Sequence, residues 1–272
     1  DKYRPISLLS VGSKFFATIL LQRLKQAGAE KRICKTQFGF KSKHGTVDAL
    51  FLARRLIEDV WSRKDGCMVF LALDWAKAFD TISQEALLKA LMRFCVPPKF
   101  AAVVKDIYTA RKFAVRDGGQ TSGLHDQHFG ICQGCPLSPF LFAILMTVLM
   151  HDAMAGAQQP DSSEFPVDEL IYADDTLVVP LDAQHAQDSM LRIQSAGAHL
   201  GLSFNWKKLE VLPVRCTASI MQPSGEFIEH KYSITYLGSV LCSNGSLGPE
   251  LGRRLGVASS EFKKLEIVWT NS

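Results

Sequence analysis

Leu170-Ile171-Tyr172-Ala173-Asp174-Asp175-Thr176-Leu177-Val178-Val179 sets two short β-prone runs, Leu170 to Tyr172 and Thr176 to Val179, on either side of Ala173-Asp174-Asp175. This is the pattern of a tight β-hairpin, and it puts two carboxylates at the tip. Side by side, ionised carboxylates repel and raise each other's pKa values unless a cation stands between them. Asp is also a favoured turn residue, so an isolated Asp-Asp pair reads first as turn chemistry. The rest of the chain has to decide.

Upstream, Cys67 to Leu73 is an almost wholly apolar run that ends in Asp74. It suits a buried strand with a carboxylate at its C-terminal tip, followed by a helix from about Ser83. Lys14 to Lys25 has helical spacing, with Phe15, Phe16, Ile19, Leu20 and Leu24 on one face, and Thr46 to Trp61 repeats the pattern. Pro136 sits where a helix can begin, and Leu137 to Met150 continues as an apolar, buried helix. Downstream, Ala183 to Leu200 reads as a helix, and Leu209 to Val214 and Tyr236 to Leu241 as strands. Gly156 to Pro166 reads as a surface loop. This order predicts an α+β fold with an antiparallel sheet packed on helices.

With 272 residues, 47% of them apolar, the chain can bury the core of one large or two modest domains. Its net charge of +4 permits a polyanionic partner, and the basic residues crowd the first 45 positions: Arg4, Lys14, Arg23, Lys25, Lys31, Arg32, Lys35, Lys41 and Lys43. A solvated basic face is the plainer account of that cluster. The seven cysteines form no disulfide framework, and the apolar settings of Cys67 and Cys95 read as reduced core thiols, hence an intracellular setting. No localisation signal separates nucleus from cytoplasm. No apolar run reaches the roughly 20 residues of a membrane span. The chain opens on Asp1 without a signal sequence, which suggests an excerpt from something longer.

Asp74 is the natural third carboxylate for the hairpin pair. Magnesium takes hard oxygen ligands, typically one or two carboxylates plus substrate phosphates, and acts in pairs about 3.5 to 4 Å apart in polymerases and nucleases. Tyr172-Ala173-Asp174-Asp175 between apolar runs resembles the signature of reverse transcriptases, and further blocks agree in the family's order. Tyr3-Arg4-Pro5-Ile6-Ser7-Leu8-Leu9 is similar to the first finger block of the LINE-type, non-LTR enzymes. Gln37-Phe38-Gly39-Phe40-Lys41, followed by Thr46-Val47-Asp48-Ala49, is similar to the second. Asp74-Trp75-Ala76-Lys77-Ala78-Phe79-Asp80 and Gly130-Ile131-Cys132-Gln133-Gly134-Cys135-Pro136-Leu137-Ser138-Pro139 resemble the first two palm motifs. Gly201-Leu202-Ser203-Phe204-Asn205-Trp206-Lys207-Lys208 resembles the fourth, and Tyr236-Leu237-Gly238 the primer-grip segment. Together they run from residue 3 to residue 241.

The resemblance implies the fingers and palm of a right-hand polymerase over residues 1–242, with 243–272 a linker or the start of a thumb. It implies an RNA-directed DNA polymerase that extends a primer 3′ end with dNTPs on an RNA template. Asp74, Asp174 and Asp175 would hold two Mg2+ ions, with Mn2+ as a substitute. Phe79 would lie beneath the incoming sugar and exclude a ribose 2′-hydroxyl. Gln133 and Gly134 would contact the nucleotide and admit the template backbone. Arg4 would hold triphosphate oxygens, and Lys208 would serve the leaving pyrophosphate. Lys41 stands where the family usually has Arg, keeping charge but losing the bidentate fork, and Leu209 stands where Thr or Ser is commoner.

Each role has a plainer counterpart: Phe79 a core ring, Gln133-Gly134 helix-entry chemistry, Arg4 a solvated side chain. Lys207 competes with Lys208. Asp80 is more economically a helix N-terminal carboxylate than a metal ligand. Two other functional readings stand beside polymerase: a degenerate retroelement copy that binds RNA without catalysis, and a two-metal nuclease, which needs neither the Tyr172 hairpin nor Phe79. His125, His128, Cys132 and Cys135 have the ligand types of zinc, but only three residues separate the pairs.

Overall fold

A computed structural model describes residues 6–155 and 167–269. In chain order, helix α1 (Val11–Gln26) leads through a 3-10 turn (Ala29–Arg32) to α2 (Thr46–Ser62), strand β1 (Met68–Leu73), the single turn α3 (Ala78–Thr81), α4 (Gln84–Arg93) and α5 (Pro98–Tyr108). Four two-residue strands follow: β2 (Lys112–Phe113), β3 (Arg116–Asp117), β4 (Gln120–Thr121) and β5 (His125–Asp126). Then come α6 (Ser138–Met154), β6 (Glu169–Tyr172), β7 (Asp175–Val178), α7 (Ala183–Ala198), β8 (Glu210–Val214), β9 (Glu229–His230), β10 (Ser233–Tyr236), β11 (Ser239–Cys242) and α8 (Gly248–Trp269).

The main sheet has the order β6-β7-β1-β8-β9, antiparallel throughout except for the parallel β8–β9 pair. β1 lies at its centre and has both faces covered. Alternate side chains on a strand point to opposite faces, so Val69, Leu71 and Leu73 enter one core with α1, α4, α5, α6 and α7. Met68 and Phe70 enter another, with α2 and the β10–β11 hairpin. A strand buried on both sides is apolar at successive positions. That explains the unbroken Met68-Val69-Phe70-Leu71-Ala72-Leu73 run.

α6 is buried nearly all round, including Phe140, Phe142, Ile144 and Leu145, as expected of a helix without a polar stripe. The Ser83 hydroxyl accepts the Ala86 N–H and starts α4. At α2 the Asp48 carboxylate accepts the Gly45 N–H.

Several expectations need correction. On α1 the buried stripe is Ala17, Leu20 and Leu24, while Phe15 and Phe16 face outward. Cys67 and Cys95 are exposed, not core residues, although all seven cysteines are unbridged. Tyr236 to Leu241 is not one strand but a hairpin, broken where Leu237 and Gly238 take φ values of 48° and 74°. Not a correction but an addition, residues 248–269, within the stretch 243–272 expected to be a linker or the start of a thumb, form the longest helix among the described residues. The predicted loop at 156–166 lies outside the described residues.

Candidate active site

The β6–β7 ladder closes on the pair Tyr172↔Asp175, leaving Ala173 and Asp174 as the turn. Ala173 has φ 60°, in the left-handed region that a residue with a Cβ enters at a cost. β1 runs antiparallel to β7 with Leu73 opposite Thr176, so one more residue of that register sets Asp74 opposite Asp175. Three carboxylates therefore stand on adjoining strand ends, Asp74 and Asp174 half-buried and Asp175 exposed.

Beyond Asp74 the chain pairs with the segment before β8. Asn205 N–H donates to the Asp74 carbonyl (2.8 Å), Ala76 N–H to the Ser203 carbonyl (2.8 Å), and Trp75 bridges Phe204. Between this bridge and the β1–β8 ladder the chain makes a 3-10 excursion, Trp206–Lys208. Its last residue places the Lys208 ammonium 3.6 Å from Asp74 Oδ2. Of the two competing lysines, Lys208 is the one joined to the acidic site.

The Gly130–Pro139 block packs on the other side of the Asp74–Asp80 segment. Ile131 N–H donates to the Phe79 carbonyl (2.7 Å), and Gly130 N–H to the Ile82 carbonyl (2.8 Å). Gln133 Nε2 donates to Asp80 Oδ1 at 2.9 Å, so Asp80 is engaged by this block. Gly134 has φ 112°, and a Cβ there would stand 2.6 Å from the Ser7 carbonyl oxygen. The close approach at this glycine is thus made by the chain's own N-terminal segment, where Ser7 N–H also donates to the Gln133 carbonyl (2.7 Å).

Phe79 is half-buried. Its ring stacks on Phe142 (centroids 4.4 Å, 11°) and meets Phe40 edge-on (6.4 Å, 84°). It is thus a core contact, packed at the edge of the main core. Lys41 donates to the Cys34 carbonyl (3.3 Å). Arg4 lies outside the described residues.

Among the described residues, no three His, Cys, Asp or Glu side chains form a group that could by itself hold a metal ion. The donor set is three hard carboxylates on strand ends, with a lysine beside one of them. Its chemistry fits an ion that takes few protein oxygens and completes its shell from phosphates. Of the four zinc-type ligands, His125 and His128 are exposed, whereas Cys132 and Cys135 are buried. Cys132 Sγ accepts from Arg111 Nη2.

Residues to which the sequence assigned no individual role also shape the site. Thr176 is buried; its hydroxyl donates to the Asp174 carbonyl (3.1 Å) and accepts from Trp75 Nε1 (3.3 Å). Tyr236 donates to the Leu170 carbonyl (3.1 Å). Burial, and then the charge of Asp175, hold its phenol well above the usual tyrosine range. Gln37 is wholly buried against Ala173. None of these has a charge that would draw notice in the sequence.

A mainly antiparallel sheet ending in a two-aspartate hairpin, with a third aspartate just past the end of the central strand, is the architecture of a polymerase palm. The chain belongs to the reverse transcriptase family: residues 1–241 match the family described as "Reverse transcriptase (RNA-dependent DNA polymerase)". It is 32% identical over 181 residues to the RNA-directed DNA polymerase from mobile element jockey of Drosophila melanogaster, covering 66% of this chain and 19% of that protein. It is 25% identical over 229 residues to the Pol polyprotein from type-1 retrotransposable element R2 of Nasonia vitripennis, covering 82% and 21%. These relatives are LINE-type, non-LTR retrotransposon polymerases. The chain spans about a fifth of the length of these curated relatives. Among solved structures it is similar to apo telomerase from Candida tropicalis truncated from its C-terminal domain. The TM-score is 0.55 at 13% identity, covering 86% of this chain and 44% of that one, a likeness of fold. No helix among the described residues is long and apolar enough to cross a membrane.

Proposed function

We propose that this chain is the fingers and palm, residues 1–242, of an RNA-directed DNA polymerase that extends a primer 3′ end with dNTPs on an RNA template, with residues 243–272 leading into a thumb. One observation supports this above the others: Asp74 and the Asp174-Asp175 hairpin stand at adjoining strand ends, with Lys208 against Asp74. The family is one of divalent-metal-dependent enzymes, and Asp74, Asp174 and Asp175 are the residues that would hold two Mg2+ ions, or Mn2+ in their place. When bound, such ions supply Lewis acidity toward the primer hydroxyl and the triphosphate.

The remaining roles belong to the chain. The reaction joins the primer 3′-oxygen to the α-phosphorus, its hydroxyl proton passing to solvent, and breaks the bond from the α-phosphorus to the bridging oxygen, which leaves with pyrophosphate. Lys208 is exposed on the site and presents an ammonium to the departing pyrophosphate, as a charge or a proton donor. Phe79 is the ring that would exclude a ribose 2′-hydroxyl, and the stack of Phe142 on one of its faces supports a firmly held ring there. Gln133 and Gly134 line the nucleotide's side of the palm, and Arg4 and Lys41 add positive charge from the fingers.

The test is primer extension on poly(rA)/oligo(dT) with magnesium, using the full reading frame that contains this chain. An Asp174→Ala, Asp175→Ala double variant should lose incorporation while still binding template–primer. Equal incorporation by both proteins would sink the catalytic reading. Binding without incorporation by either would point to a retroelement relic.

A further inference from the structure

The side chain of Gln37 is fully buried, 136 residues away in sequence from the turn it touches. Its Oε1 accepts the N–H of Ala173 (2.9 Å) and that of Gly39 (2.8 Å), and its Nε2 donates to the Ala173 carbonyl (3.3 Å). One carboxamide thus satisfies both backbone polar groups of the residue that precedes Asp174. Ala173 needs such support, since it holds a left-handed φ of 60° without being glycine.

The chain around Gln37 is built to hold it in place. Thr36 to Phe38 runs parallel to β6, with Ile171 N–H donating to the Thr36 carbonyl (2.9 Å) and Phe38 N–H to the Ile171 carbonyl (2.7 Å). Gly39 lets this segment close on the turn: a Cβ there would stand 2.4 Å from the Ala173 nitrogen. On the far flank the Thr176 hydroxyl, itself held by Trp75, fixes the Asp174 carbonyl. The main chain of Asp174 is gripped from both sides.

We propose that Gln37 is a positioning residue for nucleotidyl transfer: its carboxamide locks Ala173 in the left-handed turn and so sets where the Asp174 carboxylate stands. This rests on the reading of Asp174 as a metal-holding carboxylate. The carboxamide of Gln presents a donor and an acceptor on one carbon, in one plane and without charge; Asn carries the same group on a stem one methylene shorter. Gln37→Met keeps the volume and removes all three hydrogen bonds. Gln37→Glu keeps the two acceptor bonds and removes the donated one.

The experiment is steady-state and burst-phase primer extension by the full reading frame, with magnesium titrated, for wild type, Q37M, Q37E and Asp174→Asn. In Q37M, kcat per active site should fall about tenfold or more, and the half-saturating magnesium concentration should rise, as is usual when a ligand's supporting partner is lost. KM for dTTP and template–primer affinity should stay within about twofold, and Q37E should lie between. Values for Q37M within about twofold of wild type overturn the proposal. So does a loss confined to burst amplitude, which marks a merely structural residue. If Q37M does not fold, Q37E decides: a fall in kcat of about threefold or more with unchanged template–primer affinity supports the clamp, and a smaller change overturns it. An inactive D174N beside a normal Q37M removes the clamp alone, whereas an active D174N removes both the clamp and the metal-site reading beneath it.

Discussion

Glu169 opens the strand that ends in the two-aspartate hairpin, and it is buried. Burial raises its carboxyl to about 6; the hydrogen bond from Thr36 (2.7 Å) pulls the other way, and the charge of Asp168 adds to the rise. A free glutamate titrates near 4.5, and each tenfold difference in proton affinity between folded and unfolded states amounts to about 1.4 kcal/mol. The folded protein therefore holds the Glu169 proton more tightly than the unfolded chain does. Its stability contribution is intact below pH 4.5, falls as the pH rises through 6, and leaves the protein about 2 kcal/mol less stable above that window than a neutral group would. Glu169→Gln keeps the shape and an oxygen for Thr36, and its amide does not titrate. Urea unfolding followed by tryptophan fluorescence at pH 5 and pH 8 should show the advantage of E169Q over wild type growing by about 1 to 2 kcal/mol between the two. Comparing the variant with wild type at each pH cancels the acidic-side losses from carboxylates held low, such as Asp152 beside Arg93 and Glu250 beside Arg253 and Arg254. An advantage that does not change with pH would refute the reasoning.

Phe79→Val removes a ring packed on Phe142 and Phe40, so unfolding should become easier by about 1 to 2 kcal/mol. Incorporation of rNTP relative to dNTP should rise about tenfold or more; lost stability with unchanged discrimination leaves Phe79 a core residue only. Lys208→Met breaks an ion pair whose partners are 65% and 36% exposed, so stability should move by less than about 1 kcal/mol. In the same variant kcat should drop about tenfold, and a kcat near wild type would exclude Lys208 from the leaving-group step. Gly134→Ala places a Cβ on the Ser7 carbonyl at a positive φ. It should cost about 1 to 3 kcal/mol, read as a lowered Tm, and an unchanged Tm would show that the Ser7 segment yields freely.

Local periodicity explains which parts of the molecule were readable. β1, α2 and α6 each have an apolar pattern matched to a single burial geometry, and a strand covered on both faces or a helix covered all round leaves little ambiguity in its residues. Patterns that depend on what lies opposite were misread. Phe15 and Phe16 belong to a helical stripe by spacing, yet α1 is rotated so that Ala17, Leu20 and Leu24 meet the core. Cys67 and Cys95 have apolar neighbours along the chain but sit at element ends, open to solvent. In Tyr236-Leu237-Gly238 the glycine was the available sign of a turn, but the apolar residues around it suggested one continuous strand.

The acidic site divides in the same way. Carboxylates at the tips of apolar runs are conspicuous because charge there needs a reason, so Asp74, Asp174 and Asp175 stood out from sequence alone. What holds the turn before Asp174 is neutral and, in Gln37, distant in sequence. Gln37 meets Ala173 only because residues 36–38 add to the edge of β6, and no spacing rule connects positions 136 residues apart. The choice between Lys207 and Lys208 shows how much one residue of register matters. On the β1–β8 ladder the paired residue numbers add to a constant, as Ala72↔Glu210 and Met68↔Val214 do, but the Trp75↔Phe204 bridge falls three residues short of that register. Those three residues are the Trp206–Lys208 turn. A 3-10 turn advances about 120° per residue, so neighbouring lysines on it diverge in direction, and only the last of them meets Asp74. Lengthening or shortening that turn by one residue would aim a different side chain at the site while leaving the motif's composition unchanged.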